Sequence, residues 1–183
     1  MKGIRKIVVI GPESTGKSSL CEKLAIHFHT TWCPEYAREY LLQHGTRYTF
    51  DDLLTIAKGQ VVLEDRVAES LMNAENNPSM LFIDTDQYVM KVWCEFVFER
   101  CHQWILDQIV VRKYDLYLLC NTDLPWVKDE LREYPDLESR ERLFHIYRDI
   151  MINQNTNWIE IRGGDYQQRL KMALDAVSEL TGV

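Results

Sequence analysis

The chain has 183 residues, 46% of them hydrophobic and 27% charged, a balance that suits one domain with a sizeable core. A net charge of -7 excludes a surface that attracts nucleic acid or anionic membrane overall. Five cysteines, Cys21, Cys33, Cys94, Cys101 and Cys120, form no CxxC pair and read as free thiols of a cytoplasmic protein.

"RKIVVI" at 5–10 predicts a central parallel strand. Its apolar run is too short for a signal-peptide core or a membrane span, so no membrane insertion is expected. The spacing of Leu20, Leu24 and Phe28 predicts a first helix from Lys17 to Phe28. A short strand is expected at 30–33, a helix from there to Gly45, and a long helical segment over 51–77 stopped by Pro78. "MLFID" at 80–84 reads as a second buried strand, followed by two helical segments broken near Arg100. A third strong strand is expected at 114–120, a helix at 139–154, a strand at 158–161 and a closing amphipathic helix. Strands alternating with helices predict an α/β fold, a single domain over 1–183 with a five-stranded parallel sheet and helices on both faces. Ligands then gather beyond the carboxyl ends of the strands, where Gly11, Glu35, Asp84, Asn121 and Gly163 all fall.

The stretch directly after the first strand is Gly11, Pro12, Glu13, Ser14, Thr15, Gly16, Lys17, Ser18 and Ser19, a full phosphate-binding loop. Its glycines allow backbone N–H groups to turn toward phosphate oxygens, and the helix that starts near Lys17 adds its positive end. Lys17 is expected on the β- and γ-phosphates and Ser18 on magnesium, with Ser19 adding a hydroxyl. Asp84, at the end of the neighbouring strand, is the second expected magnesium residue. Asp86 reads either as a substrate contact or base, or as the cap of the next helix. No N/T-K-x-D segment marks guanine, so ATP is the expected donor with Mg2+.

A kinase also needs an acceptor pocket. Glu35 stands just past the short second strand, where a carboxylate can orient or accept the proton of an attacking hydroxyl. Arg38, one turn on, suits a sugar hydroxyl or phosphoryl oxygen; a surface ion pair with Glu35 is the plainer alternative. Trp32, Tyr36, Tyr40, Tyr88 and Trp93 crowd this side, and Trp93, two turns along from Asp86, is the expected platform for a flat ring, cationic rings included. The stretch at about 122–145 reads as a helical lid whose Arg132 and Arg140 neutralise the phosphoryl group, or as a solvated hairpin. Around Gly163, backbone atoms are expected to frame the adenine.

"GPESTGKSSL", "PEYAREY", "FIDTD" and "NTDLPWVKDELRE" resemble, in that order, the ribosylnicotinamide kinase domain of NadR-type proteins, from Ile7 to about Arg162. The resemblance implies a phosphate-loop fold of the nucleoside-kinase type. It also implies transfer from ATP with magnesium to the 5'-hydroxyl of nicotinamide riboside, a small-molecule nucleoside. It assigns Glu35, Tyr36 and Arg38 to the acceptor region, Asp84 and Asp86 to the acidic strand end, Trp93 to nicotinamide and Arg132 to the lid. A chain of this length is expected to lack the DNA-binding and adenylyltransferase parts of larger members, so a separate adenylyltransferase, and a transporter supplying the riboside, become the expected partners. Two alternatives stay open: a kinase for another nucleoside or small hydroxyl metabolite, and a regulatory ATPase that binds a partner.

Overall fold

Apolar side chains that alternate along three strands decide the layers. The computed structural model describes residues 3–74, 80–128, 130–131 and 133–182. In chain order the elements are β1 (Arg5–Ile10), α1 (Lys17–His27), β2 (Trp32–Cys33), α2 (Tyr36–His44), α3 (Phe50–Met72), β3 (Met80–Asp84), α4 (Gln87–Phe98), α5 (Gln103–Val111), β4 (Leu116–Cys120), α6 (Leu137–Asn153), β5 (Trp158–Ile161) and α7 (Tyr166–Thr181). The strands form one five-stranded sheet in the order β2-β3-β1-β4-β5, and every pairing is parallel.

Ile7, Val9, Phe82 and Leu118 point to one face, where Leu20 and Leu24 of α1 and Ala173 and Val177 of α7 cover them. Val8, Ile10, Leu81, Ile83 and Leu119 point to the other, under Leu71 of α3, Val92 of α4 and Phe144 of α6. A strand buried on both faces has no polar side, which is why these runs read as continuous apolar stretches. Each fully buried Ile or Leu contributes about 1.5–3 kcal/mol relative to exposure. A third cluster, Ala37, Leu53, Ile56, Met90 and Ile105, joins α2, α3, α4 and α5 beside the sheet.

Capping chemistry sets most helix starts. Asp86 caps α4, Asp136 caps α6 and Asp165 caps α7, each accepting bonds from first-turn N–H groups. Thr49 and Asp52 form a reciprocal capping box on α3. Within α3, Gly59 permits a close approach: a Cβ there would lie 2.1 Å from Cε1 of Tyr36. Tyr36 therefore seats its ring directly on the α3 backbone, and its N–H donates to Gln60 Oε1 at 2.7 Å.

The structure corrects several expected boundaries. β2 is only Trp32–Cys33, because Thr30 sends its hydroxyl to the Met80 carbonyl at 2.6 Å instead of extending the ladder. β4 starts at Leu116, since Asp115 turns its carboxylate onto the Lys6 N–H at 2.7 Å. The expected end of the long helix at 77 and its stop at Pro78 lie outside the described residues. The lid is helical only from Leu137 on; the described residues of 121–136 carry no helix, interrupted as they are by Pro125 and Pro135. Among the described residues no helix is long and apolar enough to cross a membrane.

Candidate active site

At the carboxyl end of β1 the chain turns into α1 through Gly16, which is left-handed at φ 79°. Unlike the helices capped by aspartates, α1 has no side-chain cap and no acid in its first turn. Its N-terminal amides and dipole thus face the loop, the arrangement that suits a phosphate. The Pro12 carbonyl holds the loop closed, accepting from the Thr15 hydroxyl at 2.7 Å and from Lys17 Nζ at 3.0 Å.

Register places the acids. Val9 of β1 lies opposite Asp84 of β3, so the Asp84 side chain stands beside the loop. The Ser18 hydroxyl donates to Asp84 Oδ2 at 2.5 Å, while Asp84 Oδ1 is buried without a hydrogen bond. Burial, then the nearby Glu35 carboxylate, raise the Asp84 pKa to about 7, against the pull of Lys17 and Ser18. A buried carboxylate with one oxygen unsatisfied, next to a serine hydroxyl and a phosphate loop, fits a divalent cation with oxygen ligands. Glu35 is the N-cap residue of α2 but makes no side-chain cap bond, so its carboxylate is directed elsewhere, into the cavity beside Asp84.

That cavity has a volume of about 480 Å³, within the range for a nucleoside-sized ligand. It brings together every residue of the loop from Gly11 to Ser19 with Glu35, Arg38, Asp84 and Trp93. Asp86 and Tyr36 are not among its lining. Asp86 Oδ1 accepts the N–H groups of Tyr88 and Val89, and Oδ2 accepts the Tyr117 hydroxyl at 2.7 Å. Asp86 thus commits Oδ1 to the α4 cap, the second of the two sequence readings, and Oδ2 to Tyr117 of β4. Burial raises its pKa to about 6 despite these three donors. Tyr36 is turned onto Gly59 instead of the cavity.

The segment after β4 closes over the loop. Glu13 accepts the N–H groups of Glu133, at 3.0 Å, and of Tyr134. Ser14 Oγ accepts the Val127 N–H at 2.8 Å. Arg140, expected on a phosphoryl group, is instead 3% exposed in α6 and spans the carbonyls of Ser14 and Leu124 at 3.4 and 3.3 Å, tying loop to lid. Arg132 lies outside the described residues. Gly163 does not line the cavity; its N–H donates to Asp123 Oδ2 at 2.6 Å, and Asp123 also pairs with Arg169.

Sequence reasoning passed over Glu133, Tyr134, Tyr147 and Tyr166, all of which line the cavity, and Tyr48, which supports it. Tyr147 carries the α6 stripe with Leu143, a pattern that signals burial and not a site. Glu133 and Tyr134 are held by bonds to Glu13 that no periodicity encodes. His102, next to Cys101, has a structural role: its ring stacks on Phe50 at 3.7 Å and its Nε2 lies 2.9 Å from the Phe50 carbonyl. Among the described residues, no group of three or more His, Cys, Asp or Glu is arranged to hold a metal.

Comparison with known proteins agrees with this architecture. The trifunctional NAD biosynthesis/regulator proteins NadR of Escherichia coli (strain K12) and Salmonella typhimurium (strain LT2) are 28% identical over 183 residues and 26% identical over 185. Each match covers 98% of this chain and 43% of the relative, so the chain spans less than half the length of these curated proteins. A NadR protein solved in complex with NR superposes with a TM-score of 0.81 at 26% identity, over 98% of this chain and 50% of that one. The fold is that of a phosphate-loop protein of the nucleotide-kinase type. Residues 6–169, from the first strand to the last helix, match the AAA_28 family, described as an AAA domain, and the chain belongs to that family.

Proposed function

We propose that this protein is an ATP-dependent phosphotransferase that phosphorylates the 5'-hydroxyl of a nucleoside, nicotinamide riboside being the preferred acceptor. The observation that carries this reading is the single cavity that runs from Gly16 and Lys17 past Asp84 and Glu35 to Trp93. A hydrolase needs only a placed water, whereas this cavity has a carboxylate and an aromatic wall beyond the phosphate end and a segment closed over the loop. The NadR relatives and the NadR protein solved with NR support the choice of acceptor.

In this reading Glu35 orients the ribose hydroxyl and takes its proton as the oxygen attacks the γ-phosphoryl group. Lys17 leaves the Pro12 carbonyl for the phosphates and offsets the charge that spreads over them. Ser18 and Asp84 would hold Mg2+, which when bound offsets phosphate charge and aligns the leaving group. Arg38 holds the acceptor at the rim, and Trp93 stacks on its base. Glu13, Ser14 and Arg140 keep the segment at 122–136 over the loop and water out. The mononucleotide product is then a substrate for adenylyl transfer.

Membership of the AAA-domain family favours one further reading, a regulatory ATPase. The test is ADP release with ATP and Mg2+, with and without nicotinamide riboside, and product identification by mass. Riboside-dependent release with stoichiometric nicotinamide mononucleotide is expected. Slow release that no nucleoside stimulates, in protein that binds ATP, would replace the kinase reading with the ATPase one.

A further inference from the structure

Trp93, on α4, is held by a short polar chain. Its Nε1–H donates to the Tyr48 hydroxyl at 2.9 Å, and that hydroxyl donates to Glu133 Oε2 at 2.8 Å. The Tyr48 ring also meets Trp93 edge-on, with centroids 4.9 Å apart. The indole has no other donor, so its edge is fixed and its face is left for a flat apolar ring. Trp93 and Glu133 line the same cavity, on elements far apart in sequence.

The chain ends on a carboxylate. Tyr48 gives Glu133 one hydrogen bond but no charge, and among the described residues no lysine or arginine is ion-paired with Glu133. Its backbone is pinned by Glu13, a second acid, so the side chain is held at the cavity mouth against like charge. Partial burial first, and then Glu13, raise the proton affinity of Glu133, against the hydrogen bond from Tyr48. Among the described residues that line the cavity, the acids Glu13, Glu35, Asp84 and Glu133 outnumber Lys17 and Arg38, and Lys17 sits at the phosphate end.

We infer that Glu133 is a specificity residue: presented by Tyr48 at the rim of the Trp93 platform, its carboxylate selects an acceptor whose base carries a permanent positive charge over a neutral base of the same shape. This rests on the kinase reading for its catalytic consequence but not for binding. Glu133 is solvent-exposed at the mouth, so the attraction is screened and its effect is modest, roughly three- to fivefold at low salt.

The experiment compares kcat/KM for nicotinamide riboside, whose ring is cationic, and for its neutral 1,4-dihydro form, in wild type, Glu133→Gln and Glu138→Gln. Glu133→Gln retains shape, the Tyr48 bond and the backbone bonds to Glu13. It is expected to lose roughly three- to fivefold on the cationic riboside alone. Glu138→Gln, an exposed change outside the cavity lining, is expected to change neither. Equal loss on both ribosides, or no loss on the cation, overturns the assignment. In parallel, equilibrium binding of 1-methylnicotinamide and of neutral nicotinamide is followed by tryptophan fluorescence. If no riboside is phosphorylated yet the methylated cation binds wild type more tightly than Glu133→Gln, the kinase reading fails and the charge assignment stands. If cation and neutral base bind alike and the variant changes nothing, the assignment fails whatever the enzyme does.

Discussion

Glu13 and Glu133 are 120 positions apart in the chain, yet the Glu13 carboxylate accepts the Glu133 N–H at 3.0 Å and the next N–H along, that of Tyr134. A side chain of the phosphate loop thereby latches the segment that covers it. Glu13→Ala removes two charge-assisted bonds in one step. The segment at 122–136 should then be cleaved by a non-specific protease several-fold faster, and the share of ADP released without phosphorylated acceptor should rise. Unchanged cleavage would mean that Ser14 and Arg140 suffice to hold it.

Glu35 is placed in the cavity and left out of its own helix cap. Glu35→Gln keeps the shape and removes the proposed base. Transfer should fall by about 10²–10⁴, the usual range for a general base, with the Kd for ATP within about twofold of wild type. Parallel loss of ATP affinity would assign Glu35 to the donor site instead.

For Asp86 the structure points to stability. Asp86→Ala leaves two α4 N–H groups and the buried Tyr117 hydroxyl without their acceptor, a loss of about 1–3 kcal/mol. Asp86→Asn retains an acceptor and should unfold in urea much closer to wild type, with turnover preserved. A fully folded Asp86→Asn with transfer abolished would restore Asp86 to the chemistry.

Asp52 gives a pH signature. Hydrogen bonds from the Tyr40 hydroxyl, foremost, and from Thr49 lower its pKa from 3.8 to about 2. A carboxylate with a depressed folded value binds fewer protons in the native than in the unfolded state over this interval. Its contribution is therefore complete above pH 3.8 and is lost as pH falls toward 2. Asp52→Asn should show a shallower fall in stability across that window, measured by urea unfolding at several acid pH values. Identical slopes would exclude the capping box as an acid-sensitive joint.

The layers and the donor site were legible in sequence because each rests on a local signal. "IVVI", "MLFID" and "LYLLC" are apolar on both faces, and the loop spells its chemistry through glycines, lysine and serine within one turn. Glu35 could be picked out because a strand end fixes where it stands. Asp86 was left between two roles, since a cap and a base look alike until the partners of both oxygens are seen. The resemblance places Tyr36 in the acceptor region, but the close approach that Gly59 allows draws its ring away. Arg140 resembled its exposed neighbours in charge, and only the fold shows it buried against two carbonyls. The Asp86–Tyr117 bond spans 31 positions and the Arg140–Ser14 bond 126, separations that no spacing rule carries.

Gly59 never meets the cavity, yet it decides where one of its walls stands. A methyl group there would lie 2.1 Å from Cε1 of Tyr36, so the ring must shift, and Tyr36 is the first residue of α2. Glu35 and Arg38 ride at the start of that helix. Gly59→Ala, favourable for an isolated helix by about 1 kcal/mol, should therefore behave as a remote lesion in catalysis: a helix strengthened and an acceptor wall displaced. A selection for activity would find this glycine as intolerant as Glu35, and a thermostability screen that fills helical glycines would find the same position a trap.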